Sequence, residues 1–109
     1  MRIIREEALA IAKQAKEEAG YDIQHFSGYF TIWEDERDSE NNYAVAINKE
    51  KEDKDHDYFA IYVSSPGDEN YWEYTDDDSV EGLADELMRI AINIEIAEMK
   101  RQGFIVTQI

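Results

Sequence analysis

The chain has 109 residues, 26 acidic side chains against 11 basic for a net charge of -15, no cysteine, 43% apolar residues and 12% aromatic residues. That length carries one hydrophobic core, so residues 1–109 are read as a single domain, and the lack of cysteine removes disulfides, thiol nucleophiles and cysteine-ligated metal sites. The charge argues against direct binding of nucleic acid or anionic membrane, and the apolar content is too high for a disordered acidic tail.

The first segment, Ile3 to Ala19, places Ile4, Ala8, Ile11, Ala12, Ala15 and Ala19 at helical spacing, and Gly20 is a natural stop. From Asp22 to Trp33 aromatic and β-branched residues dominate, which predicts a strand bulged at Gly28. Tyr43 to Asn48, Tyr58 to Val63 and Tyr71 to Thr75 alternate in the same way and are joined by short connections, which predicts an antiparallel meander. A second helix is expected to open near Asp78, three residues before Glu81, and to end at Lys100-Arg101-Gln102-Gly103. Within it Val80, Leu83, Leu87, Ile90, Ile94 and Ala97 form a helical stripe, although Ile90, Ile92, Ile94 and Ile96 also alternate as a strand would. An optional short terminal strand is expected over Phe104 to Ile109. The expected fold is α+β, an antiparallel sheet of three to four strands with an N-terminal and a C-terminal helix, in the order α-β-β-β-β-α-(β). No run approaches the roughly 18 apolar residues of a membrane span and Met1 to Glu7 lacks a secretory apolar stretch, so the expected compartment is the cytosol.

The charge is unevenly spread: Glu34 to Glu81 holds 17 acidic and 4 basic residues, net -13, and the remainder is net -2. Carboxylates recur at every second position, in Glu34, Glu36, Asp38 and Glu40, then Asp53, Asp55 and Asp57, then Asp76 and Asp78. In extended chain such residues project to one side about 6.8 Å apart, a spacing suited to a groove built for phosphates. In a meander, Glu34 to Glu40 would share one end of the sheet with Asp68 and Glu69, and Glu50 to Asp57 would share the other with Asp76 to Asp78, giving two acidic poles. With Phe30, Ile32, Val45, Ile47, Phe59, Ile61 and Val63 inward, Tyr29, Trp33, Tyr58, Tyr62 and Tyr71 fall on the opposite face, with Ala44, Ala46 and Ala60 as hollows between them. If that face is open it has the make-up of an interface; if a helix covers it, these residues are core.

Enzymatic signatures are missing. Asp53-Lys54-Asp55-His56-Asp57 resembles a calcium loop but has Tyr58 and Ser64 where glycine and glutamate are required. Glu52-Asp53-Lys54 has a nuclease-like spacing without its aspartate partner. His25, expected on a strand face, and His56, expected in a solvated loop, have no nucleophile pattern beside them, and no glycine-rich phosphate loop occurs. The expectation is a non-enzyme with no metal and no cofactor.

In size, composition and charge distribution the chain resembles small acidic phage-type inhibitors of host defence, especially anti-CRISPR proteins, which occupy nucleic-acid sites on their targets. The residues that carry the resemblance are Glu34, Asp35, Glu36, Asp38 and Glu40, then Asp53, Asp55 and Asp57, then Asp76, Asp77 and Asp78; no motif contributes. The resemblance implies a protein inhibitor of anti-CRISPR or anti-restriction type that mimics nucleic acid, blocks the basic cleft of a nuclease or CRISPR effector and acts in the host cytosol. Tyr29, Trp33, Tyr58 and Tyr62 would be the aromatic anchors of that contact. The alternatives are an immunity protein or antitoxin against a basic toxin, and a small assembly protein that forms a homodimer through Met88, Ile92, Ile96 and Met99.

Overall fold

The computed structural model describes residues 1–67 and 70–103. Its elements are α1 (Arg5–Glu18), a single 3-10 turn (Ile23–His25), β1 (Tyr29–Asp35), β2 (Asp38–Asp53), β3 (His56–Ser64), β4 (Tyr71–Tyr74) and α2 (Val80–Arg101). The strands form one antiparallel sheet in the order β1-β2-β3-β4, so the chain has the expected α+β arrangement of two helices and a four-stranded meander. The terminal strand expected over Phe104 to Ile109 lies outside the described residues.

Both helices pack on one face of the sheet. Ala8, Ala12 and Ala15 of α1 are fully buried and share one core with Leu83, Leu87 and Ile90 of α2 and with Val45, Ile47, Phe59, Ile61 and Val63 of the sheet. Alanine is the strongest helix former and has almost no side chain, so this stripe keeps α1 helical while letting it approach its neighbours closely. The helix begins later than expected. Ile3 is extended, its N–H donating to the Ile32 carbonyl at 3.0 Å, and Arg2 bridges Trp33 along the outer edge of β1. Ile4, expected on the buried stripe, is 58% exposed as the residue before the helix, and Ile3 takes the core position.

Asp22 to Gly28 is not strand. The Asp22 carboxylate accepts the Gln24 N–H at 2.8 Å and lies 2.7 Å from His25 Nδ1, winding the chain into the 3-10 turn. His25 is therefore a turn residue and not part of a strand face. Gly28 sits at φ +89°, a left-handed conformation that glycine adopts freely, and turns the chain into β1. The bulge expected at Gly28 lies instead between Thr31 and Trp33.

β2 is far longer than the Tyr43 to Asn48 run, at 16 residues, with only Val45 to Asn48 buried in its middle. α2 starts from Ser79 and not Asp78: the Ser79 hydroxyl accepts the Gly82 N–H at 3.0 Å, and the Asp77 carboxylate accepts the Ser79 N–H at 2.9 Å. Its isoleucine run is helical, with Ile90 and Ile94 buried, and Glu98 rather than Ala97 ends the buried stripe. Lys100 and Arg101 occupy the last turn as expected.

The close fit at α1 makes a direct prediction. Ala12→Leu overfills the contact and lowers stability by about 1–3 kcal/mol in denaturant unfolding, whereas Ala10→Leu, on the exposed side, changes it by less than about 0.5 kcal/mol.

Candidate functional site

The acidic residues gather at two hairpin tips. β1 and β2 reverse at Glu36-Arg37, with Asp35 opposite Asp38, and β2 and β3 reverse at Lys54-Asp55, with Asp53 opposite His56. The alternating carboxylates do not form straight rows, because the chain doubles back within each series. Asp76 to Asp78 form a bend leading into α2. What the tips present is a cluster of carboxylates on two adjoining strands.

The second pole joins as expected: Glu52 and His56 of the β2–β3 hairpin line one cleft with Asp76. At the first pole, Asp35 and Asp38 share a surface depression of about 760 Å³ with Ser65, Pro66 and Gly67 of the β3–β4 connection. Asp68 and Glu69, expected there, lie outside the described residues.

The carboxylates divide by what they touch. Asp35 accepts the Arg37 N–H at 2.9 Å and the amides of Asn41 and Gln102 at 3.2 and 3.1 Å, which hold its carboxyl below the usual range. Asp57 accepts from the Tyr21 hydroxyl and pairs with Lys51 at 3.3 Å, and the tyrosine bond first, then the lysine, lowers its pKa. Asp77 is lowered by its bonds to Ser79. Asp38 and Asp53 each accept an N–H of their own turn, from Glu40 at 3.1 Å and Asp55 at 2.8 Å. These five shape the hairpins and the helix start. Glu34, Glu36, Glu40, Asp55, Asp76 and Asp78 have side chains in no hydrogen bond or ion pair among the described residues, and they supply the free charge.

A buried carboxylate fixes the first tip to the helix layer. Glu98 of α2, only 4% exposed, accepts from the Tyr43 hydroxyl at 2.9 Å, Arg101 Nε at 3.0 Å and Asn41 Nδ2 at 3.3 Å, and the same Asn41 amide reaches Asp35. Burial opposes ionisation of Glu98, but the bonds from Arg101, Tyr43 and Asn41 outweigh it and hold the carboxyl below its ordinary value. Burial and the facing carboxylate push the Tyr43 phenol up to about 12.

On the sheet face away from the helices, the register aligns Tyr29, Ala46, Tyr62 and Trp72 across the four strands, with Ala60 beside Tyr74 and Glu50 beside Tyr58. Tyr29, Tyr58 and Tyr62 are where the sequence placed them. Trp33 is not. The bulge inserts one residue into β1 and turns Trp33 to the helix side, opposite Tyr43, where it is 5% exposed with the rings 5.8 Å apart and edge-on. Tyr71 also faces the helix side, beside Val63. Trp33 is a core residue and its indole is not available as an anchor.

Among the described residues no helix covers this outer face. Its rings pack on each other: Trp72 lies 5.1 Å from Tyr62 and 6.1 Å from Phe26, and Tyr58 lies 6.1 Å from Tyr74. Ala46 and Ala60 are 0% and 1% exposed, so the hollows expected beside the alanines are filled by neighbouring rings. Phe26, Trp72 and Tyr74 join the face unannounced. For Trp72 and Tyr74 the signal lay in Glu73, which pairs with Arg89 of α2 at 2.9 Å and so sends its two neighbours outward; nothing in the sequence marked Phe26.

On α2, Ile92 and Met99 are 37% and 38% exposed, while Met88 and Ile96 are partly covered. Among the described residues no helix is long and apolar enough to cross a membrane, and no group of three or more His, Asp or Glu side chains is placed to hold a metal ion. No family model, curated protein sequence or solved structure matches the chain.

The Glu98 cluster sets the pH dependence of the tip. A depressed carboxyl stabilises the fold above the ordinary carboxylate range and loses that contribution as pH falls through its folded value; the raised Tyr43 contributes below its ordinary value of 10.0 and loses it as pH rises through about 12. Glu98→Gln lowers stability at neutral pH by about 1–3 kcal/mol and flattens the acid limb of the stability profile, measured by urea unfolding across the acid range.

Proposed function

We propose that the chain is a non-enzymatic acidic inhibitor that occupies the basic nucleic-acid-binding cleft of another protein, a nuclease or CRISPR effector, and excludes nucleic acid from it. The observation that carries this reading is the placement of free carboxylates on projecting hairpin tips. Glu34, Glu36 and Glu40 stand at one tip, and Asp55 stands at the other with Asp76 and Asp78 beside it, while the helices stay nearly neutral. The field of these carboxylates speeds encounter with a basic cleft and repels nucleic acid itself. The cytosol, where such a target would be met, is the compartment this reading requires. The same electrostatics would serve an immunity protein against a basic toxin, with a different partner and the same surface.

The division among the carboxylates makes the proposal testable. Displacement of labelled duplex from candidate basic nucleases and effectors is measured with the protein and its variants. Glu34→Lys, Glu36→Lys and Glu40→Lys together weaken displacement at least about 10-fold and reduce its salt dependence, without lowering the melting temperature. Asp57→Asn lowers the melting temperature and spares displacement. If the triple reversal displaces duplex as well as the parent protein does, mimicry by the tips is wrong.

A further inference from the structure

At the second pole the acidic tip meets the open aromatic face. Tyr58 and Tyr74 stand side by side with ring centroids 6.1 Å apart at 63°, and they line a cleft of about 280 Å³ that Glu52, His56, Thr75 and Asp76 complete. Tyr74 is 55% exposed. Glu52 lies 3.3 Å from His56, and the Asp76 carboxylate has no partner among the described residues. Two inclined rings beside a free carboxylate suit a planar cation, which stacks on the aromatic surface while its N–H groups donate to the carboxylate.

The chain already holds cations by the same means. The ammonium groups of Lys51 and Lys49 lie 5.0 and 5.9 Å from the Tyr21 ring centroid, and Asp57 binds both the Tyr21 hydroxyl and Lys51. The Tyr58–Tyr74 cleft has the rings and the carboxylates of such a site, and among the described residues no cation pairs with Asp76. We propose that it receives an arginine side chain from an extended segment of the partner protein, laid over the outer face beside Tyr62 and Trp72. Charge complementarity selects this occupant. A second copy of the chain would bring another -15 to an acidic rim, and an apolar segment would leave the carboxylates without a partner. This inference rests on the reading of the chain as an acidic competitor and names the partner group that one of its poles holds.

The test is a titration of the isotope-labelled protein with a short arginine-containing peptide and with the same peptide carrying citrulline, the neutral isostere, in place of arginine. The arginine peptide is expected to shift the amide resonances of Tyr58, Tyr74 and Asp76 and to bind at least about 10-fold more tightly than the citrulline peptide. Tyr74→Leu and, separately, Asp76→Asn each weaken it about 3- to 10-fold, while Glu34→Gln with Glu36→Gln at the far tip changes it less than about 2-fold. Asp76 is exposed, so Asp76→Asn carries the test if Tyr74→Leu disturbs folding. Equal binding of both peptides, equal binding by both variants, or shifts confined to the far tip overturns the inference. The competitor reading fails separately, if the unmodified protein displaces no duplex from any candidate target.

Discussion

The mismatch in length between β2 and the helix layer organises the molecule. A strand of 16 residues rises about 50 Å, whereas the 22-residue α2 spans about 33 Å. Neither helix alone covers β2 from end to end, and in the packing observed only Val45 to Asn48 is buried in its middle, with exposed polar residues at both ends. The overhanging hairpins have no core to join. Their backbone bonds are satisfied across the pair and their side chains face water, so charge is tolerated there at little cost. The acidic tips are therefore projections of the sheet that the fold leaves free, and together with the Asp76 to Asp78 bend they carry -10 of the chain's net charge of -15.

Two local devices keep those projections from being merely loose hairpins. The bulge in β1 turns Trp33 into the core, where it packs edge-on against Tyr43, and Tyr43 in turn donates to the buried Glu98. Asn41 then links Glu98 to Asp35 at the base of the first tip. At the other end Tyr21, Asp57 and Lys51 connect the segment after α1 to the second tip. Each projection is thus anchored by a carboxylate that is itself committed to the fold, while Glu34, Glu36 and Glu40 at the first tip and Asp55 at the second keep side chains without a partner among the described residues. A preorganised tip loses less conformational freedom on meeting a partner than a flexible acidic loop would.

Much of this was legible in the sequence because buried strand centres and buried helix stripes leave periodic patterns. The order of elements, the inward set from Val45 to Val63 and the C-terminal end of α2 all followed from that. The overhangs were harder: Glu34 to Glu40 and Glu50 to Asp57 read as loops because a solvated hairpin has no buried face to impose alternation, yet β1, β2 and β3 run through both, leaving only Glu36-Arg37 and Lys54-Asp55 as turns. Trp33 was misplaced because a one-residue bulge inverts every side chain beyond it, and nothing near Thr31 marks the insertion. Trp72 and Tyr74 were recoverable only by pairing Glu73 with Arg89, a contact 16 residues apart. Glu98 looked like one more surface acid, since two of its three partners, Asn41 and Tyr43, come from β2, more than 50 residues earlier in the chain, and only Arg101 from its own last turn.

The central functional claim, that the free charge of the tips competes with nucleic acid for a basic protein, is tested most directly by capture from host lysate on the purified chain, with matched elutions by short duplex nucleic acid and by simple salt of equal ionic strength. Competition by the tips requires that nucleic acid selectively release a basic nuclease or effector that salt of that strength leaves bound. Release by both eluants alike, or of no basic protein by either, would contradict it and reduce the acidic tips to solvated surface.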